Sequence, residues 1–303
     1  MLFTVHNTVL SNEIVQCDSI FPILTGKYLG QKTPNLTPEL FAPNIVSTIE
    51  YNDRDLTISP DGNQLFFART KTGENDDYDY NIMFSELIDS IWTEPQIVWF
   101  SSNYGELEPF FTPNGKELYF NSNRPTSSES KSDHWETWVI KKMNNSWSEL
   151  KLLGSPFERV CHTTFTHNGK MYYTREDITT LYRVNYKNGL FSQPEKLDTI
   201  INSAKIQYNS FISFDESYLI FTRHSQDGFG QGDLYISFRN SNDQWGNSIN
   251  LGPKINSESM ESSPSISPDG KFFFFTSNKR GNSDVYWIDI KFIEALKPHK
   301  FTP

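Results

Sequence analysis

Asp55, Glu108 and His162 follow one another at steps of 53 and 54 residues, and Asn209 and Ser263 continue the series at steps of 47 and 54. Two carboxylates beside an imidazole can work as acid and base across a glycosidic bond. With water they can also ligate a divalent cation. The amide and hydroxyl further along the series add neutral hydrogen-bonding groups. Such chemistry needs a fold that brings residues about 50 positions apart to a single point.

A repeated turn supplies that fold. The motif reads Ser59-Pro60-Asp61-Gly62, Thr112-Pro113-Asn114-Gly115, Thr166-His167-Asn168-Gly169, Ser213-Phe214-Asp215-Glu216 and Ser267-Pro268-Asp269-Gly270. Proline sets φ at the first corner, and Asp-Gly or Asn-Gly accepts a positive φ at the next, so each copy closes a tight hairpin. The fourth copy has neither Pro nor Gly and is expected to be the least regular. A single apolar residue precedes each turn, and a short aromatic strand follows it, as in Leu65-Phe66-Phe67 and Phe273-Phe274-Phe275. A third strand comes next, and a fourth begins near Trp92, Trp147, Phe191 and Trp245. Four short strands repeating every 40–50 residues or so are the signature of propeller blades. The expected fold is therefore all-β, a five-bladed propeller of four-stranded antiparallel blades.

The fifth unit runs out of chain where its outer strand should begin. A matching segment stands at the other end, where Leu36 to Pro43 reads like Phe191 to Leu197. An N-terminal strand is thus expected to complete the last blade, which hides the edges that an open ring would expose. The division expected is a lead-in over residues 1–35 and a single propeller over 36–303.

In such a ring the innermost strands line a central channel. Counting four and six residues back from each turn gives Asp55 with Asp53, Glu108 with Glu106, His162 with Val160, Asn209 with Gln207, and Ser263 with Glu261. The position just after each second strand adds Arg69, Ser122, Arg175, Arg223 and Ser277. A polar channel mouth follows, with ligand contacts expected from Asp53, Asp55, Arg69, Glu108, His162, Arg175, Asn209 and Arg223. Glu106 and Glu261 conform to the repeat and are read as structural. Asp55, Glu108 and His162 are the candidates for catalysis or for a metal. A one-residue slip in strand register would aim half of these side chains elsewhere.

Composition narrows the partners. The 303 residues carry a net charge of −10, the wrong sign for a general nucleic-acid binder. No stretch approaches the ~18 apolar residues of a membrane span. Met1 to Gln16 has no basic segment followed by an apolar run, so no signal peptide is visible. Cys17 and Cys161 have neither metal-site nor disulfide-framework spacing and read as two thiols. Glu74 to Tyr80 reads as a solvated acidic loop and Gly228 to Gly232 as a flexible turn without phosphate-loop context. An exposed Trp135 or Trp138 would suit sugar stacking, whereas a buried one is blade packing.

The fifth unit, Ser267-Pro268-Asp269-Gly270-Lys271 followed by Phe274-Phe275-Thr276-Ser277-Asn278-Lys279-Arg280-Gly281-Asn282-Ser283-Asp284-Val285-Tyr286, closely resembles the WD40-like PD40 repeat of TolB-like propellers. The second unit resembles it through Glu106, Pro109, Thr112 to Lys116 and Ser122-Asn123-Arg124, and the likeness spans roughly residues 51–290. The segment from Tyr28 to Pro43 looks like the lead-in of exported Bacteroidetes-type PD40 proteins. The resemblance implies a periplasmic, outer-membrane-associated or secreted setting and favours a protein or peptidoglycan-associated partner. The mixed Asp, Glu, His and Arg mouth favours a small polar ligand, so the expected partner is a carbohydrate, a cell-wall fragment or an envelope protein. No cofactor is expected, although Asp55, Glu108 and His162 are suited to Ca²⁺ or another divalent ion in the channel. A propeller serves binding, scaffolding and catalysis alike. The expectation is a non-enzymatic module that binds a polar ligand at the channel mouth. The alternative is a carbohydrate-active hydrolase or lyase, by architectural analogy with five-bladed glycosidases, with Asp55 and Glu108 as its carboxyl pair.

Overall fold

The computed structural model describes residues 21–72, 79–126, 134–144, 146–175, 177–188 and 190–298. The acidic loop from Glu74 lies largely outside them, as does Cys17. Five antiparallel sheets are arranged as a five-bladed propeller. The inner strands are Tyr51–Ile58, Glu106–Phe111, Val160–Phe165, Gln207–Ile212 and Glu261–Ile266. The second strands are Gln64–Lys71, Glu117–Ser122, Lys170–Arg175, Tyr218–Arg223 and Phe272–Ser277. Third strands follow, from Asn81–Ile88 in the first blade to Asp284–Asp289 in the last, and short outer strands complete each sheet.

The second strands are covered on both faces by neighbouring blades, which is why they read as unbroken apolar runs rather than alternating ones. Every residue of Glu117–Ser122 and Phe272–Ser277 is buried. Aromatic clusters fill the wedges between blades. Phe110 and Tyr119 of the second blade, for instance, pack with Phe165 of the third and Phe211 of the fourth.

The hairpin motif works through its first residue. The side-chain hydroxyls of Ser59, Thr112, Thr166, Ser213 and Ser267 each accept the amide that opens the following strand, at 2.9–3.1 Å. The fourth turn departs from expectation. It closes like the others, with Glu216 N–H donating to Ser213 O at 2.8 Å. Glu216 takes the position of glycine at φ 63°. Its carboxylate holds that conformation by pairing with Lys170 of the preceding blade at 2.6 Å and Arg239 at 2.8 Å, and by accepting from the Tyr172 hydroxyl at 2.5 Å. Backbone strain on a non-glycine residue is offset by three anchors that no local turn rule contains.

The ring closes as expected. Glu39–Leu40 pairs antiparallel with the third strand of the last blade, Glu39 opposite Trp287 and Leu40 opposite Tyr286. Residues preceding this strand also pack on the ring. Tyr28 and Leu29 are buried, the Tyr28 hydroxyl donates to Asp269 at 2.9 Å, and the Trp92 indole donates to Gly26 O at 2.7 Å.

The Gly228–Gly232 loop is pinned rather than loose. Asp233 accepts the Phe229 and Gly230 amides at 2.7 and 3.1 Å, and Gly230 lies so close to Ser257 O and Ser259 O that a Cβ would fall within 2.3 Å of both.

Candidate functional site: a polar belt in the central channel

Asp55, Glu108, His162, Asn209 and Ser263 all have positive φ, between 49° and 58°. Each sits where the pairing of inner and second strand skips, in all five blades. The bulge breaks the two-residue alternation of the strand and re-aims the side chain at this position. Five equivalent bulges therefore set five polar side chains in one belt.

The belt is stitched from blade to blade. Asp55 Oδ2 accepts the Glu108 amide at 3.3 Å, and Glu108 Oε2 accepts the His162 amide at 2.6 Å. His162 Nδ1 lies 2.6 Å from Glu108 Oε1, and the Asn209 carboxamide packs against His162 Nε2. Asn209 reaches Ser263 at 3.4 Å. Arg54 bridges the remaining gap, donating to Asp55 Oδ2 at 2.9 Å and to Ser263 Oγ at 3.3 Å. Arg54 immediately precedes the bulge and was not among the expected contacts.

Electrostatics follow from this enclosure. Burial would raise the Asp55 carboxyl, but the Arg54 guanidinium and then His162 outweigh it and hold the group well below the usual carboxylate range. Burial would lower His162, but the facing Glu108 and Asp55 carboxylates outweigh it and raise the imidazole above its ordinary value. Acidic and basic groups thus face one another inside a channel with a cavity of about 30 Å³ against them, room for a water or two. Asp55 Oδ1 accepts no hydrogen bond among the described residues, and His162 Nε2 is 3.8 Å away. A Ca²⁺ ion at Asp55, Glu108 and His162 would share Asp55 with Arg54 and Glu108 with His162.

The other expected positions lie outside the belt. Six residues before the turn, side chains turn into the seams between blades. Asp53 is fully buried, pairs with Arg69 at 2.6 Å and accepts from the Thr48 hydroxyl at 2.9 Å. Glu106 caps Ser101 and Ser102, and Glu261 caps Ser257 and Ser277, in keeping with a structural reading of both. Arg223 is buried against Ile201 O and Ser248, whereas Arg175 stays near the surface and pairs with Asp177 at 2.7 Å. Trp135 is buried beside Leu107 and Tyr80, in blade packing.

Asp53 makes the fold pH-sensitive. Burial pushes its carboxyl up to about 6, despite the opposing pull of Arg69 and Thr48. A raised folded value means that the folded chain binds this proton more tightly. The resulting stability is full below the unfolded value of about 3.9 and is lost as pH rises through 6. Urea unfolding between pH 4 and 6 is expected to show a loss on the order of 2–3 kcal/mol that Asp53→Asn removes. Parallel wild-type and variant curves across that window would refute the assignment.

No protein-family model and no curated protein matches this sequence. No helix among the described residues is long and apolar enough to cross a membrane. Solved structures do align with the propeller. The putative TolB from Agrobacterium tumefaciens is 12% identical with a TM-score of 0.49, covering 75% of this chain and 70% of that one. TolB from Acinetobacter baumannii is 14% identical with a TM-score of 0.46, over 78% of this chain and 54% of that one. A luciferin-regenerating enzyme is 10% identical with a TM-score of 0.48, over 84% and 95%. At such identities the likeness concerns fold, and the propeller expected from the PD40-like repeats, with TolB structures among its neighbours, is the architecture that this chain's own strand ladders establish.

Proposed function

We propose that the chain is a non-enzymatic binding propeller that takes a polar ligand at the mouth of its central channel. The ligand class is a carbohydrate, a cell-wall fragment or a segment of an envelope protein. The observation that supports this over catalysis is the pairing of Asp55 with Arg54 and of Glu108 with His162. A glycosidase needs two carboxyl groups facing one open pocket with room for substrate. Here both are engaged in the belt that joins the blades, and the space beside them admits water rather than a sugar ring. A rigid ring with a polar mouth is suited to recognition, because binding then costs little ordering of the protein. An envelope setting accords with this ligand class.

Calorimetric titration with soluble peptidoglycan fragments and neutral oligosaccharides tests the reading. Saturable binding is expected, weakened about tenfold, or 1.4 kcal/mol, by Arg175→Ala, an exposed pair member whose loss leaves the fold intact. Release of new reducing ends, abolished by Glu108→Gln, would instead establish a hydrolase and overturn the proposal.

A further inference from the structure

Among the described residues, a single group of three His, Cys, Asp or Glu side chains brings its donor atoms together. A carboxylate oxygen of Glu108, a ring nitrogen of His162 and Sγ of Cys161 all lie within 4.8 Å of one another. We propose that Glu108, Cys161 and His162 form a binding site for a zinc-class transition-metal ion at the channel mouth, with the Asp55 carboxyl beside it. The site stands independently of which ligand the mouth takes.

The bulge makes the trio. On a regular strand Cys161 and His162 would point to opposite faces. With His162 at φ 49°, and the pairing skipped between Cys161 and Thr164, both reach the same point. Glu108 comes from the equivalent bulge one blade earlier. Its two oxygens have separate tasks, since Oε2 accepts the His162 amide and Oε1 faces Nδ1. A metal between Oε1 and Nδ1 would leave the backbone contact in place, so the carboxylate is held in position for ligation. The Asn209 carboxamide packs against the imidazole, its Nδ2 close to both ring nitrogens, and fixes the position of the ring.

A second, separate feature lies beside the other nitrogen of the same imidazole. Asp55 is buried, its Oδ1 has no hydrogen-bond partner among the described residues, and it lies 3.8 Å from His162 Nε2. Buried carboxylate oxygens are rarely left so.

Donor chemistry selects the ion. One thiolate, one imidazole and one carboxylate suit Zn²⁺ or Co²⁺, while Ca²⁺ prefers six to eight oxygens. A thiolate, a Glu108 carboxylate and a neutral imidazole balance a dication, leaving Asp55 and Arg54 as their own neutral pair. Zinc–nitrogen and zinc–oxygen bonds of about 2.0–2.2 Å require Oε1 and Nδ1 to separate from 2.6 Å to roughly 3.3 Å. Cys161 is only partly buried, which leaves a path for the ion.

The full chain, stripped with chelator, should be titrated with Zn²⁺ by calorimetry and with Co²⁺ by absorption. One equivalent of Zn²⁺ is expected to bind with micromolar or tighter affinity, and Co²⁺ to give a thiolate-to-metal charge-transfer band. Zinc should protect Cys161, but not Cys17, from alkylation in the unsubstituted protein. Cys161→Ser is expected to abolish the band and weaken Zn²⁺ binding at least tenfold, and Glu108→Gln to weaken it comparably. Absence of saturable one-to-one uptake, alkylation of Cys161 unchanged by zinc, or a band that survives Cys161→Ser would overturn the site.

Discussion

Replacing Phe41 by alanine is expected to destabilise the propeller by about 3–5 kcal/mol, read as a lower urea midpoint. The size follows from how the ring is shut. The strand that completes the last blade contributes two paired residues, Glu39 and Leu40, so its ladder supplies little. Closure falls to the side chains just beyond it. Phe41 is fully buried, with ring centroids 5.2 Å from both Phe274 and Trp287 in edge-to-face geometry. Ala42 and Val46 follow it into the same cluster, which also takes in Leu56 and Leu65 of the first blade. Removing the ring leaves a cavity at the one seam where the two ends of the chain must hold each other. The buried phenyl ring of Phe274 sits on a strand with neighbours on both sides, whereas Phe41 also ties down the segment that carries it. Leu36→Ala, at a half-exposed position on the same segment, is expected to stay within about 0.5 kcal/mol of wild type. A Phe41→Ala chain as stable as Leu36→Ala would show that the ring is closed by something other than this cluster.

The same comparison shows which parts of the molecule can be read before folding. Turn chemistry repeats because every blade needs the same hairpin, so the positions of Ser59, Thr112, Thr166, Ser213 and Ser267 were enough to count blades and to find the missing strand at residues 39 and 40. Counting back from those turns also found the belt, since the number of residues between bulge and turn is the same in each blade. What alternation misplaced is the residue two positions earlier. Asp53 and Arg69 were expected at the mouth but meet in a seam, because the bulge inserts one residue and reverses the facing of everything before it. The same insertion sets Arg54 against Asp55 and Cys161 beside Glu108 and His162, where alternation would not place them. A signal for the bulge was present in residue type. Asp, Asn and His tolerate positive φ better than other residues, and Asp55, His162 and Asn209 recur at one register position. Glu216 shows the converse, since its positive φ depends on Lys170, Tyr172 and Arg239, partners that only the assembled blades bring together.

Arg54→Met is expected to cost about 3–5 kcal/mol at neutral pH, although Arg54 itself is partly exposed. The cost lies with the partner left behind. The Asp55 side chain is 2% exposed, and without Arg54 it keeps one backbone amide, that of Glu108, and a histidine nitrogen 3.8 Å away. An ionised carboxylate in that position has lost most of what offset its desolvation. Two further outcomes separate this cause from lost packing. Adding Asp55→Asn to Arg54→Met should recover a large part of the loss, because a neutral amide carries no charge to desolvate. The pH dependence should also reverse. In the wild type the Asp55 carboxyl is held below its ordinary range, so its stabilisation is present above the unfolded value of about 3.9 and is lost as pH falls through the lower folded value. Without Arg54, burial dominates and raises the carboxyl, so the variant is least stable at neutral pH and recovers as acid neutralises the group. Wild type and Arg54→Met should therefore converge between pH 7 and pH 4.5 in urea unfolding. A gap that is constant across that range, or a double variant no more stable than the single one, would assign Arg54 a packing role and remove the Arg54–Asp55 ion pair as the source of the loss.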